Sequence, residues 1–168
     1  MPNWCMNSAT FKHVDRTQLE RIVTALEGEY LFEAFVPCPD EDSQDWYSHG
    51  INEWGCKWDV GGEVAGEGIE LSADGGMFTL TISFDSAWSP PISFYEHMVE
   101  QGFDVVGRYY EPGMAFCGVW DNGDDQYYEI PETAEEVRDE IPEEIDEYWC
   151  ISEQKEDWEQ ENWHDDEE

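Results

Sequence analysis

Apolar side chains recur along this chain with two different periods, which predict helices and strands in alternation. A stripe with helical spacing follows Asp15, a residue suited to begin a helix, and precedes Gly28; it consists of Leu19, Ile22, Val23 and Leu26. Strict alternation with smaller residues predicts a strand with one buried face, formed by Phe78, Leu80, Ile82 and Phe84. The chain therefore combines both kinds of secondary structure in its first half.

The other segments complete an order of strand, helix, strands, helix and strands. Further strands are predicted at residues 4–14, 30–36, 57–60, 69–71, 103–110, 114–120 and 126–130. Helices are predicted at 46–54 and from Ser89, with Pro90 as the first helical residue, to Gly102. Hairpin turns are predicted at residues 74–76 and 122–123. This order predicts an α+β fold, in its simplest form a ferredoxin-like sandwich: a mainly antiparallel sheet with helices on one face.

The end of the chain predicts acidic helices. Thr133 is placed to cap a helix that runs to Glu140, and Pro142 interrupts it before a further helix begins at Glu143. Because this part also contains three Trp residues, we expect it to dock at least partly on the rest of the protein. We therefore predict a ferredoxin-like domain at 1–130 and an acidic, mainly helical C-terminal extension at 131–168, with the last four residues frayed.

Composition excludes several classes of protein. The 168 residues include 42 acidic and 7 basic side chains, a formal net charge of −35. Binding to nucleic acid or anionic lipid depends on Lys and Arg, so neither is an expected ligand. No apolar run approaches 18 residues, and five Cys without a Cys-x-x-Cys pair are typical of reduced thiols. We expect a cytoplasmic protein with an aromatic core, no zinc site and no cofactor.

Four segments resemble a known family. They are residues 1–7, 54–58, 84–91 and 110–118, each with Trp, Pro or Gly at particular places. Together they are similar to the YubB-type ferredoxin-like family of phage- and plasmid-borne proteins, over residues 1 to about 120. The resemblance implies a ferredoxin-like fold and an origin in a mobile genetic element, and it implies no activity.

The Trp-rich segments allow two interpretations. Trp54, Trp58 and Trp88 either pack in the core, with Trp88 holding the helix that follows it against the sheet, or line a ligand pocket around Lys57. Catalytic signals are weak: the nearest Cys and His, Cys56 and His49, lack a recognisable nucleophile–base spacing. The chain is accordingly predicted not to be an enzyme.

Two other segments carry only weak signals of ligand binding. Residues 61–68 are rich in Gly but lack the Lys-Ser/Thr of a phosphate-binding loop. The turn at 121–125 contains carboxylates without the ligand spacing of an EF-hand, so at most a weak divalent-ion site is expected there. No metal site is predicted.

Acidic residues are concentrated towards the C-terminus. Residues 121–168 contain 22 acidic and 2 basic side chains, against 20 and 5 in residues 1–120. On one continuous helix, the net charge of −8 in residues 132–147 would amount to one charge per about 3 Å, close to the roughly 3.4 Å of one DNA strand. The predicted partner-binding residues are Asp121, Asp124, Asp125, Glu132, Glu135, Glu136, Asp139, Glu140, Glu143, Glu144, Asp146 and Glu147.

This charge distribution favours a DNA or RNA mimic. We predict a phage- or plasmid-encoded inhibitor that occupies the basic channel of a host nucleic-acid-binding defence protein, of the anti-restriction or anti-CRISPR type. The alternative is an acidic protein–protein interaction module of a mobile element without mimicry; a third explanation, acidity as an adaptation to salt, fits the uneven distribution poorly. The expected partner is a host protein with a basic surface, and the oligomeric state stays open.

Overall fold

The computed structural model describes residues 2–38, 46–73 and 75–163. This part of the chain contains seven strands: β1 (Trp4–His13), β2 (Gly62–Val64), β3 (Glu70–Leu71), β4 (Phe78–Ala87), β5 (Asp104–Glu111), β6 (Phe116–Asp121) and β7 (Asp124–Glu129). They form one antiparallel sheet in the order β2-β4-β1-β5-β6-β7, with β3 also paired to β4. The predicted α+β class with an antiparallel sheet is confirmed.

Helices occupy much of the remaining chain. They are α1 (Arg16–Glu27), α2 (Leu31–Phe35), α3 (Trp46–His49), α4 (Ile92–Glu100), α5 (Ala134–Glu140), α6 (Glu143–Trp149) and α7 (Ile151–Trp163), and a π-helical turn (Gly50–Trp54) follows α3. As predicted, α1 begins after Asp15, whose carboxylate accepts the Thr17 N–H at 2.9 Å. Among the described residues, no helix is both long and apolar enough to cross a membrane.

The larger core lies between one face of the sheet and the helices α1, α2 and α4. Phe32 of α2 is fully buried at its centre. Its ring centroid lies 4.7 Å from that of Phe94, 5.6 Å from Trp54 and 6.2 Å from Phe84. The strands supply alternate residues to this core, among them Ala9, Phe11, Leu80, Ile82, Val105 and Trp120. The expectation of an aromatic core is confirmed.

A second core lies between the opposite face of the sheet and the last three helices. Its buried residues are Tyr110, Cys117, Val137, Ile141, Ile145 and Ile151, and Met6 and Val119 pack against them. Because successive strand residues point to opposite faces, Val119 and Trp120 belong to different cores. Helices thus cover both faces of the sheet, whereas the sequence pattern predicted them on one face.

The strand predicted at residues 30–36 is wrong. This segment forms the short helix α2, and its first N–H groups are capped by a residue far along the chain. The carboxylate of Asp59 accepts the N–H of Phe32 at 2.7 Å and that of Glu33 at 2.9 Å. A five-residue helix needs such support, because an isolated turn of helix is unstable in water.

Three smaller predictions also fail. The helix α4 begins at Ile92 after Pro91, two residues later than predicted, because the Ser89 hydroxyl donates to the Gly55 carbonyl oxygen at 2.6 Å instead of capping the helix. Residues 57–60 form no strand. Helix α4 also ends at Glu100, short of the predicted Gly102. Asp74 of the predicted hairpin turn and residues 165–168 lie outside the described residues.

Candidate functional site

Three mutually packed helices, α5, α6 and α7, carry 13 of the 22 acidic side chains of residues 121–168. Residues 131–163 include 14 acidic and 2 basic side chains, and 12 of the acidic ones are exposed. One of the two bases, Arg138, is engaged by Glu156, with Nη2 and Oε2 2.6 Å apart. We call the 12 exposed carboxylates the acidic surface: Glu132, Glu135, Glu136, Asp139, Glu140, Glu143, Glu144, Glu147, Glu153, Glu156, Asp157 and Glu161.

The acidic segment 132–147 does not form the single helix assumed in the comparison with DNA. Helix α5 ends at Glu140, Ile141 is extended and α6 begins after Pro142. Glu132 precedes the helix cap, and Glu140 and Glu144 belong to different helices, so the like-charge pairs Glu132/Glu136 and Glu140/Glu144 do not form at i, i+4 within one helix. The estimate of one charge per about 3 Å along a straight line is therefore wrong, and the charges are distributed over an area.

Several carboxylates hold these helices together. Thr133 and Glu136 form the capping box of α5, in which each side chain accepts the other residue's N–H at 3.3 Å. Asp146, which was predicted to contact a partner, is buried and accepts the Ser152 N–H at 2.7 Å. Because that carboxylate faces inward to cap the start of α7, Asp146 is not part of the acidic surface.

The predicted binding residues omitted the acidic side chains of α7. Glu153, Asp157 and Glu161 are exposed and spaced at i, i+4, so they lie along one side of this helix. The Arg138–Glu156 ion pair and a hydrogen bond of 2.9 Å from the Ala134 N–H to Glu159 hold α7 against α5. The spacing is visible in the sequence, whereas the contact with α5 is a property of the tertiary structure.

Asp121, Asp124 and Asp125 lie apart from the helices, at the β6–β7 hairpin. The turn residues Asn122 and Gly123 both have positive φ, at 45° and 110°, as expected for an Asn-Gly hairpin. Asp125 is held by Tyr109, whose hydroxyl donates to its carboxylate at 2.7 Å. Within the described ranges, no group of three or more His, Cys, Asp and Glu side chains is placed to hold a metal ion.

The four residues of the possible ligand pocket lie in three different surroundings. Trp54 is buried in the larger core, where its indole N–H donates to the Val36 carbonyl oxygen at 2.9 Å. Trp58 is exposed, and the ammonium of Lys57 lies 4.7 Å from the centroid of its ring. Trp88 is half-exposed beside β6 and β7 and has a φ of 73°.

Contacts join the segments that carry the family resemblance. The Trp88 N–H donates to the Asn3 carbonyl oxygen at 2.9 Å, which links the third segment to the first. The ring centroids of Trp4 and Trp58 are 6.2 Å apart, which links the first to the second. A Cβ on Gly113 of the fourth segment would lie 3.0 Å from the Asn3 side chain. The four segments therefore meet near the start of β1.

Because several thiols are buried, we expect the free energy of unfolding to depend on pH in the alkaline range. Burial is the main cause that raises the pKa of Cys56 from 9.0 to about 12, and the nearby Asp59 carboxylate raises it further. Burial also raises the pKa of Cys117 to about 12 and that of Cys5 above its ordinary value. At neutral pH these groups are uncharged thiols, which disfavours Cys56 as a nucleophile.

We expect the free energy of unfolding to fall between about pH 9 and pH 12. The unfolded chain loses the Cys56 proton near its ordinary pKa of 9.0 while the folded chain keeps it until about 12, so this stabilisation is complete below pH 9 and is lost as the pH rises. One such thiol contributes a slope of up to about 1.4 kcal/mol per pH unit. Urea denaturation at pH 8, 10 and 11 should show a shallower decline for Cys56→Ala, whereas Cys150→Ala, at an exposed position, should decline like the wild type. Equal slopes for Cys56→Ala and the wild type would contradict this assignment.

Comparison of the chain with protein-family models, curated proteins and solved structures found no match.

Proposed function

We propose that this protein is a stoichiometric inhibitor that imitates nucleic acid and occupies the basic channel of a host nucleic-acid-binding protein. The acidic surface is the observation that carries this proposal: 11 of its 12 exposed carboxylates stand on three packed helices that contain only two bases, and Glu132 lies just before the first of them. A positively charged channel attracts such a surface over long distances, as it attracts phosphates. No chemical step is needed for this function, so the protein is proposed not to be an enzyme.

The arrangement of the helices is compatible with a short nucleic-acid footprint. The 13 residues of α7 span about 20 Å, which is about six base steps at the 3.4 Å spacing of one DNA strand. Helix α5 packs beside α7, and packed helices lie about 8 to 10 Å apart. Carboxylates on neighbouring helices therefore cover an area, as the phosphates of two strands do, and this supports mimicry better than a single line of charge would.

The sheet supports the finer fold assignment. The strands β2, β4, β1 and β5 stand in this order, and the connections through α1 and α4 alternate with them along the chain as in a ferredoxin-like sandwich. We propose that this unit is the body of the protein and that residues 131–168 are an acidic extension, of which residues 131–163 dock on the body. The resemblance to phage- and plasmid-borne proteins further supports an origin in a mobile element and a target among restriction or CRISPR defence proteins.

One observation favours the alternative of an acidic interaction module without mimicry. Trp158 and Trp163 are exposed on α7, beside the carboxylates of the acidic surface. Indole rings do not resemble phosphates, but exposed Trp residues often anchor protein–protein contacts. If the two rings insert into a partner outside its nucleic-acid channel, the acidic surface would serve only to attract that partner.

Capture from a host extract followed by competition with DNA distinguishes the two functions. The immobilised protein should retain a basic protein, and duplex DNA should release it, because both ligands would occupy one channel. Retention should weaken steeply as the salt concentration rises. If the captured protein binds DNA and this protein at the same time, mimicry is wrong and the interaction module is the better proposal.

A further inference from the structure

A hollow of about 590 Å³ opens at the end of the sheet where β6 begins and β7 ends. Three large apolar side chains on its walls are substantially exposed: Trp88 at 50%, Met114 at 66% and Tyr127 at 53%. The remaining lining residues are Ala115, Phe116, Glu129 and Ile130. We call this feature the aromatic hollow. Large apolar side chains exposed together on one surface are typical of interaction sites.

The walls of the aromatic hollow are held in place before any ligand binds. The carboxylate of Glu111, which is buried, accepts the N–H groups of Gly113 and Met114, both at 2.7 Å. Trp88 and Ala115 have positive φ values of 73° and 56°, a region that non-glycine residues rarely occupy. Their surroundings must offset the cost of these conformations, and such residues are concentrated at functional sites.

The aromatic side chains that β6 and β7 supply to the aromatic hollow point to the face of the sheet opposite the acidic helices. Phe116 and Cys117 are successive residues of β6, so their side chains point to opposite faces of the sheet. Because Cys117 faces the core beneath α5–α7, the ring of Phe116 points to the other face. There its centroid lies 5.5 Å from that of Tyr127 and 6.1 Å from that of Tyr109. The hollow is thus a surface separate from the acidic surface.

Strand β7 supplies a regular pattern of charge along this surface. Asp125, Tyr127 and Glu129 are all exposed and, at every second position, point to the same face. Their Cα atoms are about 6.6 Å apart along an extended strand. Strand β7 also ends the strand order, with β6 as its partner in the described sheet. It therefore presents an aromatic ring between two carboxylates at the edge of a sheet.

We propose that the aromatic hollow and the edge of β7 dock an extended segment of a partner protein with the alternating pattern basic–apolar–basic. Added as a strand beside β7, such a segment would place its apolar side chain against Tyr127 and its Arg or Lys side chains opposite Asp125 and Glu129.

A second copy is a poor occupant because each chain carries a net charge of −35. The residues outside the described ranges are themselves mainly acidic, so this chain does not supply the segment. The proposal does not depend on the acidic surface being a mimic.

Titration of the full chain with synthetic peptides tests this docking site. The probe is the peptide Thr-Arg-Thr-Leu-Thr-Arg-Thr, and the controls replace its Arg by Glu, replace its Leu by Thr, or methylate the backbone nitrogens that would pair with β7. Two-dimensional NMR should show shifts at the Trp88 indole and along β7 with the probe. Each control peptide should bind at least ten-fold more weakly.

Variants of the chain identify the surface to which the probe peptide binds. Tyr127→Ser and Met114→Ser, at exposed positions, should weaken it at least ten-fold, and Glu129→Gln should weaken it and reduce its salt dependence. Leu71→Ser, another exposed apolar position, and Glu140→Gln, on the acidic surface, should leave it within two-fold. Equal binding of the peptide without Leu, shifts confined to α5–α7, or no binding of the probe would overturn the proposal.

Discussion

Replacing five carboxylates of the acidic surface together is expected to weaken capture of the partner by roughly 50- to 100-fold. Each exposed charge contributes about 0.5 kcal/mol to such a contact, so five contribute about 2.5 kcal/mol. The capping residues Glu136, Asp146 and Glu159 stay in place, because they hold the helices together. The five changes are Glu135→Gln, Asp139→Asn, Glu140→Gln, Glu143→Gln and Glu144→Gln.

The same variant should fold about as stably as the wild type, because the repulsion relieved within α5 offsets part of the loss of three favourable carboxylates in the first turns of α5 and α6. Glu135 and Asp139 repel each other at i, i+4 within α5, and relief of one such pair gains about 0.2 to 0.5 kcal/mol. Weaker capture together with an unchanged or higher melting temperature would therefore identify a binding effect. Affinity should be measured by calorimetry or surface plasmon resonance at two salt concentrations, and the variant should show the flatter dependence on salt.

A matched variant separates position from total charge. It carries five exposed changes on the other part of the chain: Glu27→Gln, Glu63→Gln, Glu67→Gln, Glu70→Gln and Glu96→Gln. Its net charge equals that of the first variant, and its affinity should fall by less than about three-fold, because charges outside the contact act only through the screened long-range field. An equal loss in the two variants would contradict a localised acidic interface.

Phe32→Ala is expected to lower the free energy of unfolding by about 3 to 5 kcal/mol. The side chain is fully buried, and three other aromatic rings lie within 6.2 Å of its centroid, so truncation would leave a cavity at the centre of the larger core. Stabilities of small domains are about 5 to 15 kcal/mol, so this change removes a large share. Urea denaturation at neutral pH measures it.

The matched control for the variant Phe32→Ala is Leu71→Ala. Leu71 lies on β3 with 57% of its surface exposed, so its truncation should change the free energy of unfolding by less than about 0.5 kcal/mol. A loss below about 1 kcal/mol for Phe32→Ala would show that α2 does not pack as described.

Sequence patterns predicted the elements whose signals are local. The alternation around Leu80, the cap at Asp15 and the turn at Asn122 each depend on residues within a few positions, and all three are confirmed. The cap at Thr133 was likewise predicted from its own neighbours, and the structure shows that Glu136 completes it as a capping box. In these places the intrinsic preference of the segment agrees with its tertiary environment.

Residues 30–36 show where a local pattern is insufficient. A short apolar run fits a buried strand and a buried helix equally well, since it contains too few residues to define a period. Asp59, more than twenty residues away, decides the outcome by accepting the N–H groups of Phe32 and Glu33. Ser89 is a similar case, because its hydroxyl bonds to Gly55 instead of capping α4.

For the candidate site, the sequence alone determined the amount of charge and its concentration after residue 120. Only the tertiary structure decided how that charge is displayed: it turned Asp146 inward and joined α7 to α5 through Glu156 and Arg138. The physical reason is that net charge is a sum over residues and therefore follows from the composition alone. The direction of a side chain depends instead on packing between segments that are distant along the chain, and no local pattern records those contacts.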